Sequence, residues 1–132
     1  MVALLVSLVL ASGTAGGAPP SDCLDYGSTP AACESLWKQE EATERALNAT
    51  YRRLLARLDA ASTHDVFFRQ AKTDLIEAQR AWVVFREKDC DARGGVDRGL
   101  QLRSGDCKLD RARQRIRELE DIDDALGALD VP

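Results

Sequence analysis

Nine positions, Cys33, Trp37, Glu40, Glu44, Leu47, Tyr51, Leu54, Leu58 and Ala61, follow one another at steps of four and three without a break. Only a helix brings such positions onto one face, and a stripe this long predicts a coiled-coil-like seam rather than a strand. Thr29-Pro30 supplies the start: the hydroxyl can cap, and proline is harmless in a first turn, where its missing N–H would have no partner. The first helix is therefore expected from about 30 to 61. Two carboxylates, Glu40 and Glu44, lie within this seam. A glutamate there must reach water or meet a cation, because an unpaired buried charge is too costly.

Ser62-Thr63-His64-Asp65 has a hydroxyl followed three residues later by an acid, the pattern of a capping box, and predicts a second helix from about 64 to 92. Gly94-Gly95 then predicts its end. In this helix Phe68, Ala71, Leu75, Ala78, Trp82 and Phe85 recur at threes and fours and are expected to form its core seam. The short connection allows only an antiparallel hairpin. Residues whose numbers sum to about 126 should then lie side by side, with Glu44 beside Trp82 and Glu40 near Arg86. The expected core is Trp37, Leu47, Tyr51, Leu54, Leu75, Trp82 and Phe85. Glu40, Glu44, Asn48, Gln79 and Arg86 are expected to form a polar cluster that fixes helix register.

Arg93 to Arg103 carries three glycines and few bulky residues, so it is expected to be an irregular loop of the kind that carries recognition on a rigid scaffold. Ser104-Gly105-Asp106 offers caps for a third helix with Leu109, Ala112, Ile116, Leu119 and Leu126 as its buried stripe. Basic residues crowd the first half of that helix and acidic ones the second. This order opposes the helix dipole, so packing and a crosslink must hold the helix.

Cys23, Cys33, Cys90 and Cys107 all fall at one end of the expected bundle. An even count in a short chain of an oxidising compartment reads as two disulfides, and no pair has zinc-knuckle spacing. All three connectivities are open; loop closure favours Cys23 with Cys33 and Cys90 with Cys107. The fold expected is all-α: a long antiparallel helical hairpin plus a third helix, disulfide-stapled at one end.

Residues 2 to 11 are continuously apolar and small residues follow, which reads as an export signal over 1–18. The block is about half the roughly 20 residues that span a bilayer, so no stable span is expected in the mature form. Residues 19–29 are an irregular lead, 30–126 the helical domain and 127–132 a tail. The net charge of −4 disfavours a nucleic-acid partner. A lone His64 in a turn, cysteines committed to disulfides and no nucleophile beside a base leave no catalytic residues, no metal site and no cofactor in the expectation.

Glu44-Arg45-Ala46-Leu47-Asn48-Ala49-Thr50-Tyr51, then Ala78-Gln79-Arg80-Ala81-Trp82 with Phe85, Arg86 and Cys90, then Gly94-Gly95 and Cys107, resemble the LprI-type lysozyme-inhibitor family over about residues 22 to 120. The chain has Glu44 where that family often has Asp, and Val96 where Ser is common. The resemblance implies a helical, disulfide-bonded protein of the envelope or the secreted fraction. It also implies a protein partner, lysozyme or another basic cell-wall hydrolase. An acidic protein gains from electrostatic steering towards such an enzyme. Glu118 to Asp124 would supply the attraction, and the loop bearing Gly94, Gly95, Arg98 and Arg103 would meet the enzyme's carboxylates. The alternative expectation is an envelope interaction module or immunity-type protein with another partner.

Overall fold

The computed structural model describes residues 29–96 and 101–129, with side chains in the second segment from residue 105 onward. Three helices account for nearly all of it: α1 (Pro30–Ala61), α2 (Val66–Val96) and α3 (Gln101–Gly127). The expected irregular lead up to residue 28, Cys23, Arg98 and the export signal lie outside the described residues.

α1 begins as its sequence requires. The Thr29 hydroxyl accepts from the Ala32 amide at 3.2 Å, and Pro30 opens the first turn. At the far end Ser62 and Thr63 do not cap α2. Their hydroxyls donate back to the Asp59 and Ala60 carbonyls of α1, and the Asp65 carboxylate instead accepts from the Phe67 amide at 2.8 Å. α2 therefore starts at Val66, and the hairpin register moves with it. Arg86 bonds to Glu44 and Lys72 to Asp59, pairs whose numbers sum to 130 and 131 rather than 126.

α2 runs antiparallel to α1, and α3 returns parallel to it. Gly105 abuts Leu36 and Glu40 near the start of α1, while Asp123 meets Arg57 near its end. α1 packs more extensively on α3 than on α2, so the hairpin is completed by α3 rather than decorated by it. Leu47, Leu54, Leu58 and Ala61 of α1, Leu75 of α2, and Ala112, Leu119 and Leu126 of α3 form the core, with Tyr51, Phe68, Trp82 and Ile116 packed against it. Burying a leucine as completely as Leu54 or Leu119 contributes about 1.5–3 kcal/mol. Trp37 is half-buried, and Thr50, which the nine-position seam skips, is buried because α1 faces two neighbours at once.

The seam of α2 keeps Phe68, Leu75 and Trp82 as expected, but its alternate positions each move on by one residue. Ala71, Ala78 and Phe85 are exposed, and the inward stripe is Phe68, Lys72, Leu75, Gln79, Trp82, Arg86 and Cys90, with Ile76, Glu87 and Asp89 half-buried beside it. Phe85 is 50 % exposed and is not a core residue. Polar side chains take the inward positions because each finds a partner: Lys72 on Asp59, Gln79 on Arg115, Arg86 on Glu44. Their long stems cover apolar surface while the heads stay bonded.

Gly94 and Gly95 do not end α2, which continues to Val96, and α3 begins at Gln101, ahead of the expected capping residues. Of the eleven residues expected to be irregular, 93–96 and 101–103 are therefore helical.

Candidate partner-binding end of the bundle

Four features meet at one end of the bundle: the start of α1, the end of α2, the start of α3, and the crosslink between the latter two. Cys90 and Cys107 form a disulfide with Cα atoms 5.6 Å apart, and Cys90 is fully buried. Cys33 is also disulfide-bonded, and its partner lies outside the described residues. The Asp89 carboxylate and both sulfurs of the Cys90–Cys107 bridge lie within 4.8 Å of one another. Sulfurs joined in a disulfide offer no thiolate, so this trio is not a metal-ligand set.

Around the crosslink, the acidic last turns of α2 face the basic first turns of α3. Asp89 takes Arg111 at 2.9 Å and Arg93 at 3.0 Å; Lys108 takes Glu87 at 2.8 Å and Asp91 at 3.1 Å. Each row of charges opposes the dipole of its own helix, but the two antiparallel rows satisfy each other. The hydrogen bond from Arg93, joined by Arg111, holds the Asp89 carboxyl below its usual range. Burial acts against the Lys108 ammonium, yet its bonds to Glu87 and Asp91 outweigh that and raise its pKa.

Further in, Glu40, Thr43, Glu44, Arg86, Lys108, Leu109 and Ala112 line a small cavity that opens between the three helices. Arg86, only 9 % exposed, bonds through Nη1 to Glu44 and through Nε to Glu87 at 3.2 Å, and its guanidinium lies 4.9 Å from the Trp82 ring centroid. Arg115 approaches the same ring at 6.0 Å and donates to Gln79 at 2.9 Å. Glu40 shares this cavity but has no ion pair among the described residues. Burial pushes its carboxyl above the usual range, against the pull of Lys108, and Glu44 and Asp106 add to the rise.

Of the expected polar cluster, the structure brings Glu40, Glu44 and Arg86 together. Gln79 lies deeper, on Arg115, and Asn48 is exposed on the outside of α1. Gly94 is half-buried and Gly95 exposed in the last turn of α2; Arg103 belongs to the first turn of α3, its side chain outside those described. Lys108 and Arg111 were not among the expected site residues. Their signal was the acid at alternate positions, Glu87, Asp89 and Asp91, that the antiparallel α3 had to answer. Along α3, Glu118 and Asp123 are engaged with Arg115 and Arg57, which leaves Glu120, Asp121 and Asp124 facing outward.

No helix among the described residues is long and apolar enough to cross a membrane. The sequence profile of the family described as Lysozyme inhibitor LprI matches residues 23–119, most of the chain. The chain belongs to the LprI lysozyme-inhibitor family. No curated protein matches it, and no solved structure does.

Proposed function

We propose that this protein works outside the cytoplasm, secreted or periplasmic, and binds and blocks a cell-wall hydrolase without catalysing a reaction itself. The family match over residues 23–119 carries this reading. The disulfides support an oxidising compartment. The net charge of −4 and the outward carboxylates Glu120, Asp121 and Asp124 favour approach to a basic enzyme, through long-range steering that salt weakens. The surface proposed to meet the enzyme is the stapled end, where Gly94 and Gly95 lead into Arg98 and Arg103. Arginines there suit the carboxylates of a glycosidase cleft, which commonly carries a pair of them.

The test is a titration of the oxidised protein into lysozyme acting on cell walls, at low and moderate salt. The reading expects a saturable loss of rate at about micromolar protein, weaker at the higher salt. An unchanged rate at both salts, together with capture of a different envelope protein, would replace lysozyme by another partner. Cell-wall cleavage by the protein alone, lost in Glu40→Gln/Glu44→Gln, would make it an enzyme instead.

A further inference from the structure

The flank of α2 that faces away from the core carries a second heptad pattern. Phe67, Ala71, Asp74, Ala78, Ala81, Phe85, Lys88 and Ala92 follow at unbroken steps of four and three, and every one of them is exposed. Phe67 is 77 % exposed and Phe85 50 %. The Phe85 ring has the Arg111 guanidinium 5.3 Å from its centroid and still keeps that exposure. A 4–3 repeat with apolar members is the pattern by which one helix seats another, and no helix among the described residues occupies this flank.

We propose that this flank of α2 is a homodimer seam, packed antiparallel against the same flank of a second copy with Ala81 at the two-fold axis. The charges on the stripe choose the occupant. Asp74 and Lys88 are its only charged members, and they lie seven residues before and seven after Ala81. Antiparallel pairing about Ala81 puts Asp74 of each copy beside Lys88 of the other. Neither residue has an ion pair among the described residues, and Asp74 accepts only a hydrogen bond from Gln70 at 2.8 Å. The same alignment sets Phe67 beside Gly95, and Phe85 level with Glu77, one position from the small Ala78 of the stripe. A parallel pairing would instead stack Asp74 on Asp74, Lys88 on Lys88 and Phe85 on Phe85, so the pattern selects one direction. A two-fold interface uses one patch twice and must be self-complementary, which this stripe is in both charge and size. The inference does not rest on the hydrolase reading.

Sedimentation equilibrium of the oxidised protein, up to about 1 mM, tests it. A monomer–dimer equilibrium is expected. Ala81→Arg places two guanidinium groups on the axis and should weaken the dimer by about tenfold or more, with helicity unchanged by circular dichroism. Asp74→Lys alone should weaken it in the same direction, and Asp74→Lys/Lys88→Asp should restore it, because the exchanged charges still pair. A monomer at all concentrations, a dimer indifferent to Ala81→Arg, or a double reversal no tighter than the single one would overturn the proposal.

Discussion

Arg86 of α2 and Glu44 of α1 are bonded across the interior of the bundle, with the guanidinium lying on Trp82. The pair joins two helices at the cavity that also holds Glu40, so it fixes register where the three helices converge. Breaking a buried pair commonly costs about 3–5 kcal/mol, but the Glu44 side chain is 43 % exposed and can be hydrated. Arg86→Ala should therefore destabilise by about 2 kcal/mol, much of it from lost packing on Trp82. Glu44→Gln should cost under about 1 kcal/mol. Urea unfolding of the two variants checks both.

Glu40 is the one carboxyl of that cavity without an ion pair among the described residues, and burial raises its pKa. A raised folded-state pKa means that ionising Glu40 works against the fold. Its contribution is most favourable below the unfolded value, about 4.3, and is lost as pH rises through the folded one. Glu40→Gln should be at least as stable as the parent at pH 7, and the parent should gain on it as pH falls. Asp89, held low by Arg93 and Arg111, acts with the opposite sign but is common to both proteins. Thermal unfolding of the two proteins from pH 7 to about pH 4 reads the difference directly.

Two glycines should respond in opposite directions. A Cβ on Gly105 would lie 2.8 Å from Leu36 Cδ2 and 2.9 Å from Glu40 Oε1, whereas one on Gly95 would meet nothing within 4 Å. Gly105→Val forces bulk between α1 and α3 and should destabilise by about 1–3 kcal/mol. Gly95→Ala removes backbone freedom from a helical turn and should stabilise by about 0.5 kcal/mol. Differential scanning calorimetry of both variants measures the contrast.

The Cys90–Cys107 bridge spans 17 residues of sequence. Closing a loop of that length in the unfolded chain contributes about 3 kcal/mol. Cys90→Ala/Cys107→Ala should lose about that much in urea unfolding, and the last turns of α2 should lose amide protection before the α1–α3 core does.

The first helix and the all-α architecture were legible because the α1 repeat is unbroken and its cap is explicit. Phe68, Leu75 and Trp82 of the α2 seam were legible too, but its other positions were not, for a physical reason. Ala71, Ala78 and Phe85 look like core by hydropathy, while Gln79 and Arg86 look like surface. What decides is pairing: Arg115 and Glu44 wait on the neighbouring helices, and a sequence read one helix at a time cannot see them. The glycine stop after α2 failed similarly. Two glycines cost a helix about 1 kcal/mol each, less than the Arg93–Asp89 pair, the Cys90 bridge and its packing return together. Of the site, Glu40, Glu44 and Arg86 were foreseeable as a cluster, but their register depended on which residue capped α2.

The proposed blocking of a cell-wall hydrolase is tested most directly by calorimetric titration of lysozyme with the oxidised protein, which does not rely on a rate. A saturable complex with whole-number stoichiometry, weakened as ionic strength rises, is the predicted result. No complex at millimolar protein, with cell walls degraded by this protein acting alone, would contradict it.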